Sequence, residues 1–196
     1  MDAPKYCTIY VEDLPMNYES REIPVTKGFL IDLFRGAGKI IPDGVTIKYR
    51  EDRDGRPYAF AFITFETCKM AEKAIAEFNY VKLDGQPIRI SIANAETKRI
   101  RRRGLGKIII KGLDPLIEVS QLHEAFANFG DIISCKIPTN INPQGQLVSR
   151  GYGIVQFRHE QDAQQAINDL QDATINGRQI RVEPCLRSKK SINGYT

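Results

Sequence analysis

The chain has 196 residues, 42% hydrophobic and 27% charged, with 28 Lys and Arg against 24 Asp and Glu for a net charge of +4. That length suits one large domain or two of roughly 90–100 residues, and the apolar share excludes disorder along the whole chain. No apolar run approaches the ~20 residues of a bilayer-spanning helix and the N-terminus has no apolar signal region, so a soluble intracellular protein without membrane contact is expected.

In chain order, Thr8 to Glu12 alternates as a first strand, with Ile9 and Val11 on the core face and Tyr10 and Glu12 outward, stopped by Asp13-Leu14-Pro15. Met16 to Pro24 reads as a loop. Thr26 is a suitable N-cap for a short helix whose apolar face is Phe29, Leu30, Leu33 and Phe34, ending near Gly36. Val45 to Tyr49 alternates as a second strand, and Glu51 to Arg56 is a charged turn. Tyr58 to Phe65 is a third strand with Ala59, Ala61, Ile63 and Phe65 on one face and Tyr58, Phe60 and Phe62 on the other. Three rings on an outward face allow two readings: a strand buried on both sides, or a platform on which bases of a single strand stack. Ala71, Ala74, Ile75 and Phe78 mark a second helix, Asp84-Gly85 a turn, and Ile88 to Ile92 a last strand with Arg89 and Ser91 outward. The order strand, helix, strand, strand, helix, strand is the ferredoxin-like split βαβ pattern.

The order recurs. Gly38 and Gly130, Phe65 and Phe157, Ala74-Ile75 and Ala166-Ile167, and Gly85 and Gly177 are each offset by 92, whereas Leu14 and Leu113 are offset by 99. The chain is thus a duplicated unit, the first copy carrying seven extra residues between its first strand and first helix. The expected architecture is α+β: two ferredoxin-like βαββαβ domains, each a four-stranded antiparallel sheet backed by two helices. Their expected bounds are 6–94 and 107–186, with a basic linker over 95–106 and a polar tail over 187–196.

Dividing the charge along these bounds locates its excess. Residues 1–94 carry 13 basic and 14 acidic side chains, residues 108–196 nine of each, and residues 95–107 six basic and one acidic. The surplus therefore lies in Lys98, Arg99, Arg101, Arg102, Arg103 and Lys107, between two near-neutral bodies. Such a run is either a solvated segment or the place where a polyanion is gripped. Cys7, Cys68, Cys135 and Cys185 are scattered without Cys-x-x-Cys spacing, and His123 and His159 stand apart from plausible partners. Free thiols in a reducing compartment are expected, with no metal, no cofactor and no catalytic constellation.

Tyr58 to Phe65 resembles the RNP1 motif of RNA-recognition motif (RRM) domains, and Ile9 to Leu14 the companion RNP2. Arg150-Gly151-Tyr152-Gly153-Ile154-Val155-Gln156-Phe157 and Ile108 to Leu113 are their counterparts in the second half. The resemblance implies that strands one and three lie side by side at the centre of each sheet, gathering Tyr10, Phe60 and Phe62 as base-stacking rings. Small Ala59 and Ala61 leave room for helices behind. Tyr58 stands where the family usually has Lys or Arg, and Lys48, Arg50 and Arg89 are outward neighbours able to supply charge; Glu12 and Ser91 share that face. In the second half Ile109 and Ile154 occupy stacking positions, which implies a weaker RNA surface with Lys111, Lys136, Arg150, Tyr152 and Arg181 as contacts. Within the family the chain is most similar to the first two RRMs of cytoplasmic poly(A)-binding proteins, on Ile9 to Leu14, Gly104 to Asp114, Phe129 to Lys136 and Arg150 to Gly153.

That similarity implies single-stranded, A-rich mRNA as the ligand. Arg99, Arg101, Arg102, Arg103 and Lys107 would grip the strand, translation or mRNA-processing factors would dock on the helical side of the second RRM, and a monomer would act in cytoplasm, nucleus or both. A different RNA preference and another tandem-RRM family, such as the ELAV-like proteins, stay open. So does an adaptor role in mRNA metabolism, in which the second RRM docks a protein rather than RNA.

Overall fold

The computed structural model describes residues 6–16, 24–51 and 57–185. Its first half runs β1 (Cys7–Leu14), α1 (Lys27–Phe34), β2 (Ile40–Glu51), β3 (Pro57–Phe65), α2 (Cys68–Phe78), the short pair β4 (Lys82–Leu83) and β5 (Gln86–Pro87), and β6 (Arg89–Ile92). Next come α3 (Ala95–Arg103), β7 (Lys107–Lys111), α4 (Val119–Ala127), β8 (Ile132–Lys136), β9 (Thr139–Ile141), β10 (Leu147–Ser149), β11 (Tyr152–Phe157), α5 (Glu160–Asp169), β12 (Thr174–Ile175), β13 (Arg178–Gln179) and β14 (Arg181–Pro184). The chain divides into two compact units between Lys98 and Arg99, inside α3.

In the first unit the sheet order is β2-β3-β1-β6, in the second β14-β7-β11-β8, and every pairing is antiparallel. Both units therefore have the α+β split βαβ architecture, with the motif-bearing strands central. Alternation sorts the side chains. Ile9, Val11, Ala59, Ala61, Ile63 and Phe65 are buried on one face against Leu30, Phe34, Ala71 and Ala74 of the helices. Phe34 closes this core edge-on to Phe65 at 6.5 Å and to Phe78 at 5.1 Å. Each such aromatic or branched side chain removed from water stabilises the fold by about 1.5–3 kcal/mol. The alanines of β3 and α2 set the close approach of helix to sheet. In the second unit Ile108, Ile110, Leu122, Phe126, Val155, Phe157, Ala166 and Val182 are buried in the corresponding places.

Local signals end the elements as expected in several places. The Thr26 hydroxyl accepts from the Phe29 N–H at 3.1 Å and starts α1. Asp84-Gly85 and Asn176-Gly177 both adopt positive φ, +47° and +77°, then +48° and +75°, closing the β4–β5 and β12–β13 hairpins. Elsewhere the structure departs from the reading. β2 begins at Ile40 rather than Val45 because a bulge over Ile41–Gly44, with Asp43 at φ +56°, carries pairing through a Pro-Asp-Gly stretch that reads as a turn. The hairpin β9–β10 adds to the expected order, its three-residue strands being too short to show a period-two face; the Asn142 side chain folds it by accepting from the N–H groups of Gln144 and Gln146 at 3.0 and 2.8 Å. Most of the loop expected at Met16–Pro24, the charged turn after Glu51 and the tail at 187–196 lie outside the described residues.

The segment expected to be a linker, 95–106, is a helix from Ala95 to Arg103. Thr97 and Ile100 are buried and Arg101 half-buried, a spacing of three and four that makes one inward face; Lys98, Arg99, Arg102 and Arg103 are exposed. The charges hid this periodicity. Gly104 ends the helix at φ +64°, its N–H on the Ile100 carbonyl at 2.9 Å.

Candidate nucleic-acid interface

The outward face of the first sheet follows from its register. Tyr10 is opposite Phe62 and beside Ser91; Phe62 is opposite Thr46, Phe60 opposite Lys48 and Tyr58 opposite Arg50. Central strands and alternation thus collect four aromatic rings on one face. Tyr10 and Phe62 lie 5.1 Å apart and 29° from parallel, both half-buried, a flat apolar surface open to a partner. Tyr58, 40% exposed, extends the cluster 6.0 Å beyond Phe60 at 31°. Lys48 and Arg50 are exposed alongside.

Phe60 is the most enclosed of the four rings. It is only 5% exposed, edge-on to Tyr10 and Phe62 at 5.5 and 5.9 Å, with the Arg50 guanidinium 5.7 Å over its ring. Its ring packs against its neighbours and leaves little of its own surface exposed. Alternation placed it outward correctly but could not show how closely the surrounding side chains close over it.

Arg89 also makes contacts that the strand pattern does not show. Its guanidinium is paired with Asp13 and lies 3.6 Å from Glu12, its side chain only 13% exposed. Burial opposes its charge, yet Asp13 and Glu12 outweigh burial and raise its pKa further above the ordinary arginine range. The geometry comes from a slip in register between Val11 and Leu14, with Asp13 at φ +60°, a conformation Asp tolerates. Arg89 is therefore paired within its own sheet, with Glu12 beside it. The partner, Asp13, could not be read from the strand pattern because it lies at the bulge.

The second sheet presents a different face. Ile109 and Ile154, half-buried, are direct partners in the β7–β11 register, with Lys136 opposite Ile154. No ring stands at either position. Tyr152 lies opposite Lys111, and the Arg150 guanidinium lies 5.2 Å over the Tyr152 ring. Lys111 donates to Glu183 at 2.7 Å, an exposed pair worth little in water and easily exchanged. Lys136, Arg150 and Arg181 are exposed and Lys107 half-buried.

At one end of this face the sheet meets α3. Gln156, opposite Lys107 and Ser134, is 3% exposed, and its side-chain amide donates to the Ile100 carbonyl at 3.1 Å and the Leu105 carbonyl at 2.8 Å. The Arg101 guanidinium donates to the Ile133 carbonyl at 2.7 Å. Arg101, expected to contact a ligand, is thus engaged within the second unit by a backbone carbonyl, whereas Arg89 is held by carboxylates. Arg99, Arg102 and Arg103 stay exposed. Gln156 escaped notice because it occupies the variable position of the RNP1-like pattern.

Among the described residues, no group of three or more His, Cys, Asp or Glu side chains is placed to hold a metal ion, and no helix is long and apolar enough to cross a membrane. Fold and face define a protein built of two split βαβ modules, one carrying a half-buried aromatic pair on its outward sheet face.

A family model described as the RNA recognition motif matches residues 9–89 and 108–181. Polyadenylate-binding protein 2 of Arabidopsis thaliana is 36% identical over 184 residues, 93% of this chain and 27% of that protein. The cytoplasmic and nuclear polyadenylate-binding protein of Eremothecium gossypii is 34% identical over 161 residues, 82% of this chain and 26% of that protein. The chain thus spans about a quarter of the length of these relatives. Among solved structures, the first two RRM domains of the yeast poly(U) binding protein align at 22% identity and a TM-score of 0.39, covering 92% of this chain and 99% of theirs. The chain belongs to the RNA recognition motif family.

Proposed function

We propose that this chain binds single-stranded mRNA, with the first sheet as the stronger platform and A-rich sequence as its preferred ligand. The observation that carries the reading is the near-parallel pair Tyr10–Phe62 on the outward face of the first sheet. Bases offer flat apolar faces of the same size, and each base on such a ring contributes ~1–3 kcal/mol with little demand on sequence. Lys48, Arg50 and the exposed arginines of α3 supply charge for the phosphates, and Tyr58 adds a ring at the end of the cluster. Tyr152, Ile154, Ile109, Lys136, Arg150 and Arg181 are the contacts of the second, weaker face. The A-rich preference rests on the likeness to polyadenylate-binding proteins. Action in cytoplasm, nucleus or both is supported by the same likeness, one relative being named for both.

Tyr10→Ala and Phe62→Ala each remove one ring from an already half-open face, so each is expected to weaken RNA binding by ~1–3 kcal/mol while the fold persists. Fluorescence titration against the four homopolymer RNAs, with circular dichroism as the folding control, checks this. Unchanged affinity in both folded variants would remove the stacking platform from the account. A second reading, in which the second unit docks a partner protein, is favoured by the Ile109–Ile154 pair, because Ile offers an apolar partner more than it offers a base.

A further inference from the structure

We propose that Gln156 is a positioning residue for RNA binding, holding α3 against the second sheet so that Arg99, Arg102 and Arg103 form a fixed cationic ridge. This rests on the RNA-binding reading above and deepens it. The last carbonyls of a helix have no partners within the helix and are usually satisfied by water or by the chain just beyond. In α3 the Ile100 carbonyl accepts from the Gly104 N–H at 2.9 Å and again from the Gln156 side chain at 3.1 Å. The same amide nitrogen donates to Leu105 at 2.8 Å, so both of its protons go to the helix end and the turn that follows. With Gln156 buried on an inner strand of the sheet, this is a cap supplied by a strand rather than by solvent.

A second tie fixes the rotation of the helix. Arg101 donates to Ile133 at 2.7 Å, and Ile100 is 4% exposed. Arg99, Arg102 and Arg103 must then lie on the remaining, exposed arc. Cations at the C-terminal turn also suit the negative end of the helix dipole. A flexible segment with the same arginines would have to order itself around each phosphate, and ordering a long side chain and its backbone weakens binding. Holding the helix beforehand removes that cost. Gln156 thereby acts on RNA affinity without meeting the strand.

Gln156→Met keeps the length and volume of the side chain and removes both N–H donors. Binding is measured with a fluorescein-labelled 12-nucleotide oligoadenylate between 50 and 300 mM KCl, concentrations chosen to expose counterion release. Affinity is expected to fall about three- to ten-fold, the effect of unfixing one or two long side chains, and the log-affinity against log-salt slope to become shallower. In a background of Arg99→Ala, Arg102→Ala and Arg103→Ala, Gln156→Met should change nothing further, because the groups it positions are gone. Arg101→Met, which loosens α3 from Ile133 without altering a strand, should reproduce the single-variant result and covers the case in which Gln156→Met fails to fold. An equal loss in both backgrounds, or an unchanged slope in a folded variant, overturns the proposal. RNA binding that still depends on Tyr10 and Phe62 in that case leaves the first reading standing; no binding by the unaltered chain overturns both.

Discussion

Arg89, Arg150 and Arg181 look alike in the sequence, each on or beside a strand with an outward position, yet only the first is locked in place. Its partners are Asp13 and Glu12, so Arg89→Met should leave two carboxylates facing each other in a half-buried site. We expect the first unit to lose ~1–3 kcal/mol of stability in urea, less than the 3–5 of a fully buried pair because Asp13 keeps about a third of its side chain in water. The salt dependence of RNA binding should stay unchanged, which separates a structural cation from a phosphate contact.

His123, on α4, gives a pH signature. Burial holds its imidazole below its ordinary range, with Glu124 pulling weakly the other way. Below about pH 6.5 the unfolded chain takes up a proton that the folded chain refuses, so its contribution is present above that pH and lost as pH falls through the folded value. Urea midpoints between pH 7 and 5 should fall for the native chain, and His123→Gln should flatten the part of that decline due to this group.

At the scale of elements, the turn between α3 and β7 carries a backbone constraint. Gly106 has φ +60°, and a Cβ there would meet the Phe157 carbonyl oxygen at 2.6 Å, while its own carbonyl accepts from the Phe157 N–H at 2.8 Å. The strand cannot retreat without breaking its ladder. Gly106→Ala should therefore destabilise the second unit by ~1–3 kcal/mol, read as a lowered thermal midpoint. Helix caps, hairpin glycines and core faces were legible because each is a local rule: an N-cap hydroxyl, a dipeptide with positive φ, a period of two or three to four. α3 as a helix was not, because its buried and half-buried residues are Thr97, Ile100 and Arg101, only one of them apolar. Gln156 was not legible for a different reason: its two acceptors lie 56 and 51 residues away in sequence.

For the whole molecule, duplication has produced two unlike faces on one architecture. The first has Tyr10 and Phe62 near parallel; the second has Ile109 and Ile154 at the paired positions. Replacing both isoleucines with Phe should raise affinity for a ~12-nucleotide adenosine strand, each ring adding on the order of 1 kcal/mol, the low end for stacking because the surroundings were not shaped for it. No gain in a correctly folded double variant would mean that the second face does not take RNA and would favour the protein-docking reading of that unit.

What the sequence by itself determined is the twofold repeat, the strand and helix order of each unit, and which residues face the helices, since hydrophobic periodicity and turn residues encode these locally. It also determined the two RNP-like motifs and the place of excess charge. Only the tertiary structure decided which outward groups remain available. Phe60 is closed in by Tyr10, Tyr58, Phe62 and Arg50, Arg89 is held by acids at a bulge, and Arg101 is drawn to a strand carbonyl. Alternation says which side of a sheet a residue is on; what meets it there depends on neighbours brought from distant sequence, and that is set by packing.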